Sequence, residues 1–433
     1  MSPRPGPERR IAVIGAGWAG LAAAVRSVQR GAAVTLFEMA PQPGGRARRV
    51  STSSGDFDNG QHILIGAYTA TLALMRSVGA DPETLLLRCP LTLVDLAGRG
   101  LVLPPGAALP AFVRAVLQAR GWRWAHRVAL LGVASGWLLR GFRCAPGLTV
   151  AQLCAGLPEA VRQDLIEPLC VAALNTPIDQ ASAQVFLRVL RDALFSGPGS
   201  ADLLLPRVPL SALLPDPAWR WLEAAGARCV TGHRVQTVAR QGAGWSVDGQ
   251  AFDGVVLAAS AGEAARLADA INPAWARTAS ALRYEPIVTA YLTDTRLRLP
   301  QPMLALPAGP RSPAQFVFDL GALGAQVASP GSFAFVVSGA AAWLVDGRAA
   351  CGQAILQQAR AAFPGAFQGP DEGVLRHVAA ERRATFACTP GLARPALEVA
   401  PQWVAAGDYI AGPYPATLEG AVRSGEAAAA ALG

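Results

Sequence analysis

The sequence predicts an α/β protein: a discontinuous Rossmann-like nucleotide-binding unit beside an α+β unit with a mixed or antiparallel sheet and a helical insertion. Three stretches predict it. Near the start, Ile11-Ala-Val-Ile-Gly15-Ala-Gly17-Trp18-Ala19-Gly20 reads as an apolar strand, a glycine turn and a helix, and Val34-Thr-Leu-Phe-Glu38 reads as a second strand ending on an acid. Near the end, Val404-Ala-Ala-Gly407-Asp408 closes a strand and Thr417-Leu418-Glu-Gly420-Ala421 opens a helix of small residues. Between them, residues 284–291, 315–319 and 332–338 alternate aromatic or β-branched side chains with others, as strands do. Those strands suggest a sheet flooring a large apolar pocket.

Each part of the first stretch has a physical job. Gly15 permits the tight turn, Gly17 lets the backbone approach a pyrophosphate, and Gly20 lets helix and strand pack closely. Trp18 and Ala19 open a helix whose first N–H groups have no partner and face an anion. Glu38, followed by Met39, falls about 20 residues on, where a carboxylate accepts from ribose hydroxyls. Pro43-Gly44-Gly45-Arg46 offers a second close backbone approach and a guanidinium that can pair with phosphate. The bland alternative is a glycine-rich turn that binds nothing.

Composition narrows the chemistry. The 433 residues suffice for two or three structural units with a large core. At 52% apolar and 16% charged the chain is too apolar for disorder. All 38 basic residues are Arg, which excludes a Walker P-loop lysine, a lysine Schiff base and a lysine general base. The formal charge of +8 comes from dispersed Arg, so no nucleic-acid partner is expected. Seven Cys lie at irregular spacing with no C-x-x-C pair, which fits reduced thiols rather than a disulfide framework or a metal site. No signal peptide is expected, because the first strand of the fold begins almost at once.

The nucleotide-binding unit is expected at 8–75, 219–284 and 386–433, and the substrate-binding unit at 76–218 and 285–385. Within the second nucleotide segment, runs at 228–230, 233–238, 244–247 and 255–259 read as a meander returning to the main sheet. Residues 101–143 are apolar and rich in Arg and Trp. Their longest uncharged run, 128–139, is shorter than the roughly 18–20 residues needed to cross a bilayer. They read either as helix lying in the headgroup region of a membrane or as a buried lid helix.

The glycine motifs resemble those of glutathione-reductase-type and amine-oxidase-type FAD proteins. Residues 11–68 and 404–430 are similar to the FAD-dependent phytoene-desaturase and amine-oxidase superfamily. Within it, Phe57-Asp-Asn59-Gly60-Gln61-His62, Leu169-Cys-Val-Ala-Ala-Leu-Asn175-Thr176 and Pro415-Ala-Thr417-Leu418-Glu-Gly-Ala421-Val-Arg-Ser-Gly425 most resemble the hydroxysqualene dehydroxylases. The resemblance implies FAD as cofactor, with Asn59, Gly60, Gln61 and His62 running beside the flavin. It implies that the Val235 backbone holds the adenine. Gly407, Asp408, Thr417, Leu418 and Ala421 would complete the site from the chain's other end. It further implies hydride transfer from reduced FAD to a long-chain isoprenoid alcohol, hydroxysqualene, as its hydroxyl leaves, on the route to squalene and hopanoids. His62 is the candidate donor to that hydroxyl, and Asn175, Tyr284 and Tyr414 are candidate pocket residues. Such a substrate implies a cytoplasmic enzyme bound peripherally to an anionic membrane surface. The electron donor that reduces FAD is unknown, since no separate nicotinamide fingerprint is present. Three rivals remain: an oxidative phytoene-type desaturase, an amine oxidase (disfavoured because that family places a lysine by the flavin), and a non-catalytic flavoprotein scaffold.

Overall fold

A computed structural model describes residues 9–324 and 330–433. In chain order, the elements that position the site are strand β1 (Arg10–Ile14), helix α1 (Trp18–Gln29), β2 (Ala33–Phe37), α2 (Ala108–Gln118), α3 (Trp124–Leu139), α4 (Glu167–Leu174), β3 (Arg228–Val230) and β4 (Gly254–Leu257). There follow β5 (Tyr284–Thr293), β6 (Met303–Ala305), β7 (Phe316–Asp319), β8 (Ser332–Val337), α5 (Gly347–Ala362), β9 (Leu375–Phe386), β10 (Glu398–Ala400), β11 (Trp403–Ala405) and α6 (Leu418–Ala431).

Among the described residues, six strands form one sheet in the order β3-β2-β1-β4-β11-β10. It is parallel except where β10 pairs antiparallel with β11 at the edge. Residues 11–14 of β1 and all of β4 are buried. This is why they read as unbroken apolar runs: both faces of the parallel sheet are covered, Ile11, Val13 and Val256 packing with α1 and Ala12, Ile14, Val255 and Leu257 packing with Trp245, Val247 and Phe252. At Gly15 φ is +104° and a Cβ would lie 2.6 Å from the Ala258 carbonyl oxygen. At Gly20 a Cβ would lie 1.8 Å from the Gly15 carbonyl oxygen, so only glycine lets α1 sit this close to the turn. Helix α6 packs on α1 just as tightly, because a Cβ at Gly425 would lie 2.2 Å from the Ala19 carbonyl oxygen. Arg26 on α1 and Glu426 on α6 close that contact with an ion pair of 2.7 Å.

The meander between β3 and β4 has strands at Val238–Gln241, Gly244–Val247 and Gln250–Phe252. The run expected at 233–238 becomes strand only at Val238. Asp248 is the cause. Its carboxylate accepts from the Gln236 and Thr237 N–H groups at 3.0 and 2.8 Å and contacts His233 at 2.9 Å, replacing ladder bonds with side-chain bonds.

The second sheet runs β6-β7-β8-β5-β9 and is antiparallel throughout. Alternation gives it two faces. Val288, Ala290, Val317, Phe335 and Val337 pack on Cys351, Ile355 and Leu356 of α5. Ile287, Phe316, Phe318 and Val336 point the other way. Region 101–143 forms two helices, α2 and α3, rather than one. The Trp122 indole N–H between them donates to Asp164 at 3.0 Å. Asp164 lies in a π-helical turn, Arg162–Ile166, that runs directly into α4. Among the described residues, no helix is long and apolar enough to cross a membrane.

Candidate active site

A cavity of about 540 Å³ lies between the two sheets. Its first wall is the end of β1. Trp18 and Ala19 line it, and their backbone N–H groups, in the first turn of α1, have no partner among the described residues. The Trp18 indole donates to the Ala47 carbonyl at 3.1 Å, pinning the turn that carries Gly44 and Gly45. Gly17 and Gly45 face each other across the cavity mouth: a Cβ on Gly45 would come within 3.2 Å of the Gly17 Cα. A side chain on either would enter the space where the two glycine turns meet. Glu38 accepts from Ala16 and Ala40 N–H groups at 2.7 and 2.8 Å, and each oxygen keeps a second lone pair for a ribose hydroxyl. Met39, beside it, is mostly exposed and also lines the cavity.

Val235 enters from the segment before the meander. Its carbonyl accepts from Arg266 at 2.7 Å, while its N–H has no partner among the described residues. Arg266 and Arg234 both donate to Glu263, and these bonds hold that carboxyl down at about 2. From the chain's far end come Gly407, Asp408, Thr417, Leu418 and Ala421. The Thr417 hydroxyl caps α6 by accepting from Gly420 at 3.0 Å, which leaves the Leu418 N–H without a partner among the described residues. The buried Glu419 carboxylate takes the Ala70 and Thr71 N–H groups at the start of the neighbouring helix Thr69–Ser77.

Arg46 departs from expectation. It lines the cavity, but its guanidinium is already engaged: it pairs with Asp408 at 2.5 Å and donates to the Ala384 carbonyl of β9 at 2.8 Å. Burial opposes its charge, but Asp408 more than restores it and raises the Arg46 pKa. The pair is a strut between residues 362 positions apart. Asp408, expected to reach a cofactor, spends one oxygen on the same strut.

The 57–62 segment crosses from one sheet to the other. The Asn59 side chain bonds Arg48 N–H at 3.1 Å and the Arg46 carbonyl at 2.5 Å, bracing the glycine turn. Gln61 N–H donates to the Thr289 hydroxyl of β5 at 3.3 Å. Just outside the lining, the Asp58 carbonyl accepts from the Tyr291 hydroxyl at 2.8 Å, and burial pushes the Asp58 carboxyl up to about 7.

His62 lines the cavity with the opposite character to the one expected. Its Nδ1 sits 2.9 Å from the Gly60 carbonyl, and a carbonyl only accepts, so Nδ1 carries the proton. Burial, with a smaller contribution from Arg46, lowers its pKa below the ordinary imidazole value of 6.5. At neutral pH Nε2 therefore presents a lone pair and accepts a hydrogen bond; it has no proton to donate.

Asn175 lines the cavity, but both of its amide donors and one lone pair of its oxygen are already used. It donates to the Glu285 carbonyl at 3.1 Å and the Thr385 hydroxyl at 2.9 Å, and accepts from Gly339 N–H at 2.6 Å. At φ +46° it ends α4 in the left-handed region and clamps that helix to three strands' ends. Tyr284 and Tyr414 are not among the lining residues. Tyr284 stands by the Arg46–Asp408 strut, its phenol pKa raised by burial and then by Asp408. Tyr414 is held between the Arg188 and Arg423 guanidiniums, 5.8 and 5.1 Å from its ring. Gly20 also lies off the lining, beneath the turn. Sequence reasoning expected a sheet flooring the pocket but did not name its lining residues: Ile287, Phe316, Phe318 and Val336 line the cavity from the second sheet, with Ala172 and Ala173 of α4 beside them. Their alternation was the available signal, but it does not say which face turns inward.

The donor set suits a dinucleotide carrying a large planar ring: two helix N-termini, a glycine cradle, a carboxylate for ribose, then an apolar floor. Residues 18–433 match the family described as flavin containing amine oxidoreductase, and the chain belongs to that family. It is an FAD-dependent oxidoreductase. Among curated proteins it is similar to the hydroxysqualene dehydroxylase of Sinorhizobium fredii, 27% identical over 97% of each chain. The hydroxysqualene dehydroxylase of Rhodopseudomonas palustris is 27% identical over 98% of each. Among solved structures, an oxidoreductase from Methanosarcina mazei has the same fold, with TM-score 0.72 at 18% identity, over 96% of this chain and 99% of the other.

Proposed function

We propose that this protein reductively removes the hydroxyl of hydroxysqualene, or a close long-chain isoprenoid alcohol, to give squalene and water on the route to hopanoids. Bound and reduced, FAD supplies a hydride. The balance is alcohol plus hydride plus proton to hydrocarbon plus water. The allylic carbon that loses oxygen can spread its developing positive charge.

The observation that carries this reading is the floor of the cavity. Four apolar side chains on one sheet face, Ile287, Phe316, Phe318 and Val336, meet the end of the cavity that His62 and Gln61 also line. Such a wall takes hydrocarbon and excludes water. Gly15, Gly17, Gly44, Gly45 and the first turns of α1 and α6 would hold the diphosphate and the flavin's far edge, Glu38 the ribose, and the Val235 N–H the adenine. His62 Nε2 would accept from the substrate hydroxyl and orient it. The proton that makes the leaving group water must come from another donor. A separate reductant, of unidentified kind, must reload the flavin. A C30 hydrocarbon would lose on the order of 20 kcal/mol on passing from lipid to water, so substrate would be drawn from a membrane surface.

The test is anaerobic incubation of FAD-loaded, chemically reduced protein with hydroxysqualene. Squalene detected by mass supports the reading. Squalene absent, with phytoene desaturated by the oxidised protein or peroxide released from amines and oxygen, replaces it with a desaturase or an amine oxidase. Inertness towards all three points to a scaffold.

A further inference from the structure

We infer that α2 and α3 form a docking surface for an anionic phospholipid bilayer. This deepens the proposed reaction, and rests on it for purpose, by naming the surface through which a lipid-dissolved substrate would arrive.

The first observation is an inverted helix face. On α3, Trp124, Val128, Gly132, Ser135 and Leu139 follow one another at spacings of four, four, three and four, which places them on one stripe. All five are exposed, and none is charged. Trp124, Val128 and Leu139 are 66%, 64% and 87% exposed. On α2, Leu109 and Leu117 are also exposed, with half-buried Val113 between them at the same spacing. Eight of the eleven exposed large apolar side chains among the described residues fall between Leu96 and Leu139. Single exposed apolar residues need no explanation; a contiguous cluster of them marks a contact surface.

Charge selects the occupant. Between Asp95 and Glu159 there is no acidic residue, while seven Arg occur. Among the described residues, Arg114, Arg120, Arg123, Arg140 and Arg143 have no carboxylate partner. Arg120 and Arg123 precede α3, and Arg140 and Arg143 follow it. A 16-residue helix is about 24 Å long, so cations flank both ends of an apolar stripe. That is the pattern of a helix lying in the headgroup plane with anionic lipid around it. A second copy of this chain, with net charge +8, would bring repulsion instead.

The surface is joined to the cavity. Trp122, between the two helices, bonds Asp164 in the π-helical turn that continues into α4, whose Ala172 and Ala173 line the cavity. A cavity of about 540 Å³ is the size of one ligand's pocket. With the flavin inside, most of a C30 chain must lie elsewhere, and docking leaves its tail in the bilayer.

The test is flotation of FAD-loaded protein with phosphatidylcholine vesicles, with and without phosphatidylglycerol. The expected result is flotation with the anionic vesicles, weakened by salt. The triple variant Trp124→Ser, Val128→Ser, Leu139→Ser should lose partitioning by about 100-fold. Arg123→Gln and Arg140→Gln should each lose about fivefold. All variants should keep flavin absorbance and Tm, because the altered residues are exposed. Failure of the unaltered protein to float on anionic vesicles overturns the proposal, as does undiminished flotation of the triple variant. A lipid-free dimer that the triple variant breaks, with no vesicle binding, assigns the surface to a second copy. Flotation without squalene formation keeps the surface and removes the reaction; squalene without flotation does the reverse.

Discussion

The two sheets approach one cavity with opposite parts of themselves. The parallel sheet offers strand ends, glycine turns and the unpaired N–H groups of α1 and α6, so backbone does its binding. The antiparallel sheet offers mid-strand side chains, Ile287, Phe316, Phe318 and Val336, so shape and apolarity do its binding. Backbone contacts suit a cofactor that never changes, because they depend on conformation and a few glycines. Side-chain contacts suit a substrate, because exchanging one residue reshapes the wall without disturbing the ladder.

That contrast predicts separable losses. Gly17→Val should have the largest effect. Gly17 has φ −70°, and the nearest atom to an added Cβ is 4.0 Å away, so the chain tolerates it while the cradle fills. FAD affinity should fall by about 100-fold, or ~2.7 kcal/mol, with the Tm of the flavin-free protein unchanged. Asp408→Asn should follow. It leaves the Arg46 guanidinium without its counter-charge between the sheets, and because Arg46 is partly exposed the cost should be about 2 kcal/mol in urea unfolding. An unchanged denaturation midpoint would show that the strut carries no load.

Val336→Phe adds bulk on the cavity side of the second sheet. It should lower kcat/KM for the isoprenoid about tenfold, or ~1.4 kcal/mol, at full flavin content; loss of flavin instead would mean that the two halves are not separable. Asp58→Asn, at the seam, should have the smallest effect. The Asp58 carboxyl is raised to about 7 from 3.8, so folding favours its protonated form. That contribution is present below pH 3.8 and lost as pH rises through 7. The shift in full would be worth about 4 kcal/mol, and solvent screening of the half-buried Asp58 reduces this, so the neutral amide should raise stability above pH 7 by about 1 kcal/mol, with the gain vanishing near pH 4. Thermal melts across that range measure it.

The same contrast explains what could be read from sequence. The nucleotide half was legible because its requirements are local: Gly15, Gly17 and Gly20 sit within six positions of one another, and the structure displays a steric reason for Gly15 and Gly20, while at Gly17 it shows open space on the cavity side. The strands of the second sheet were legible from alternation, but not which face would turn inward, since α5 claims the other one. Side-chain partners were the least legible. Arg46 meets Asp408 across nearly the whole chain, Tyr414 is drawn aside by Arg188 and Arg423, and the Asn175 amide is engaged by three strand ends. The proton on His62 is set by a carbonyl two residues away, which no residue pattern announces.

The close seating of Gly425 against Ala19 has a temporal meaning. During synthesis, the glycine turn and α1 leave the ribosome long before α6 exists, and must wait with an uncovered apolar flank while some 400 residues are added, as the Arg26–Glu426 pair spans. Cofactor capture should thus be among the last events in the maturation of a newly made chain, and a chaperone's grip on that flank would delay it further.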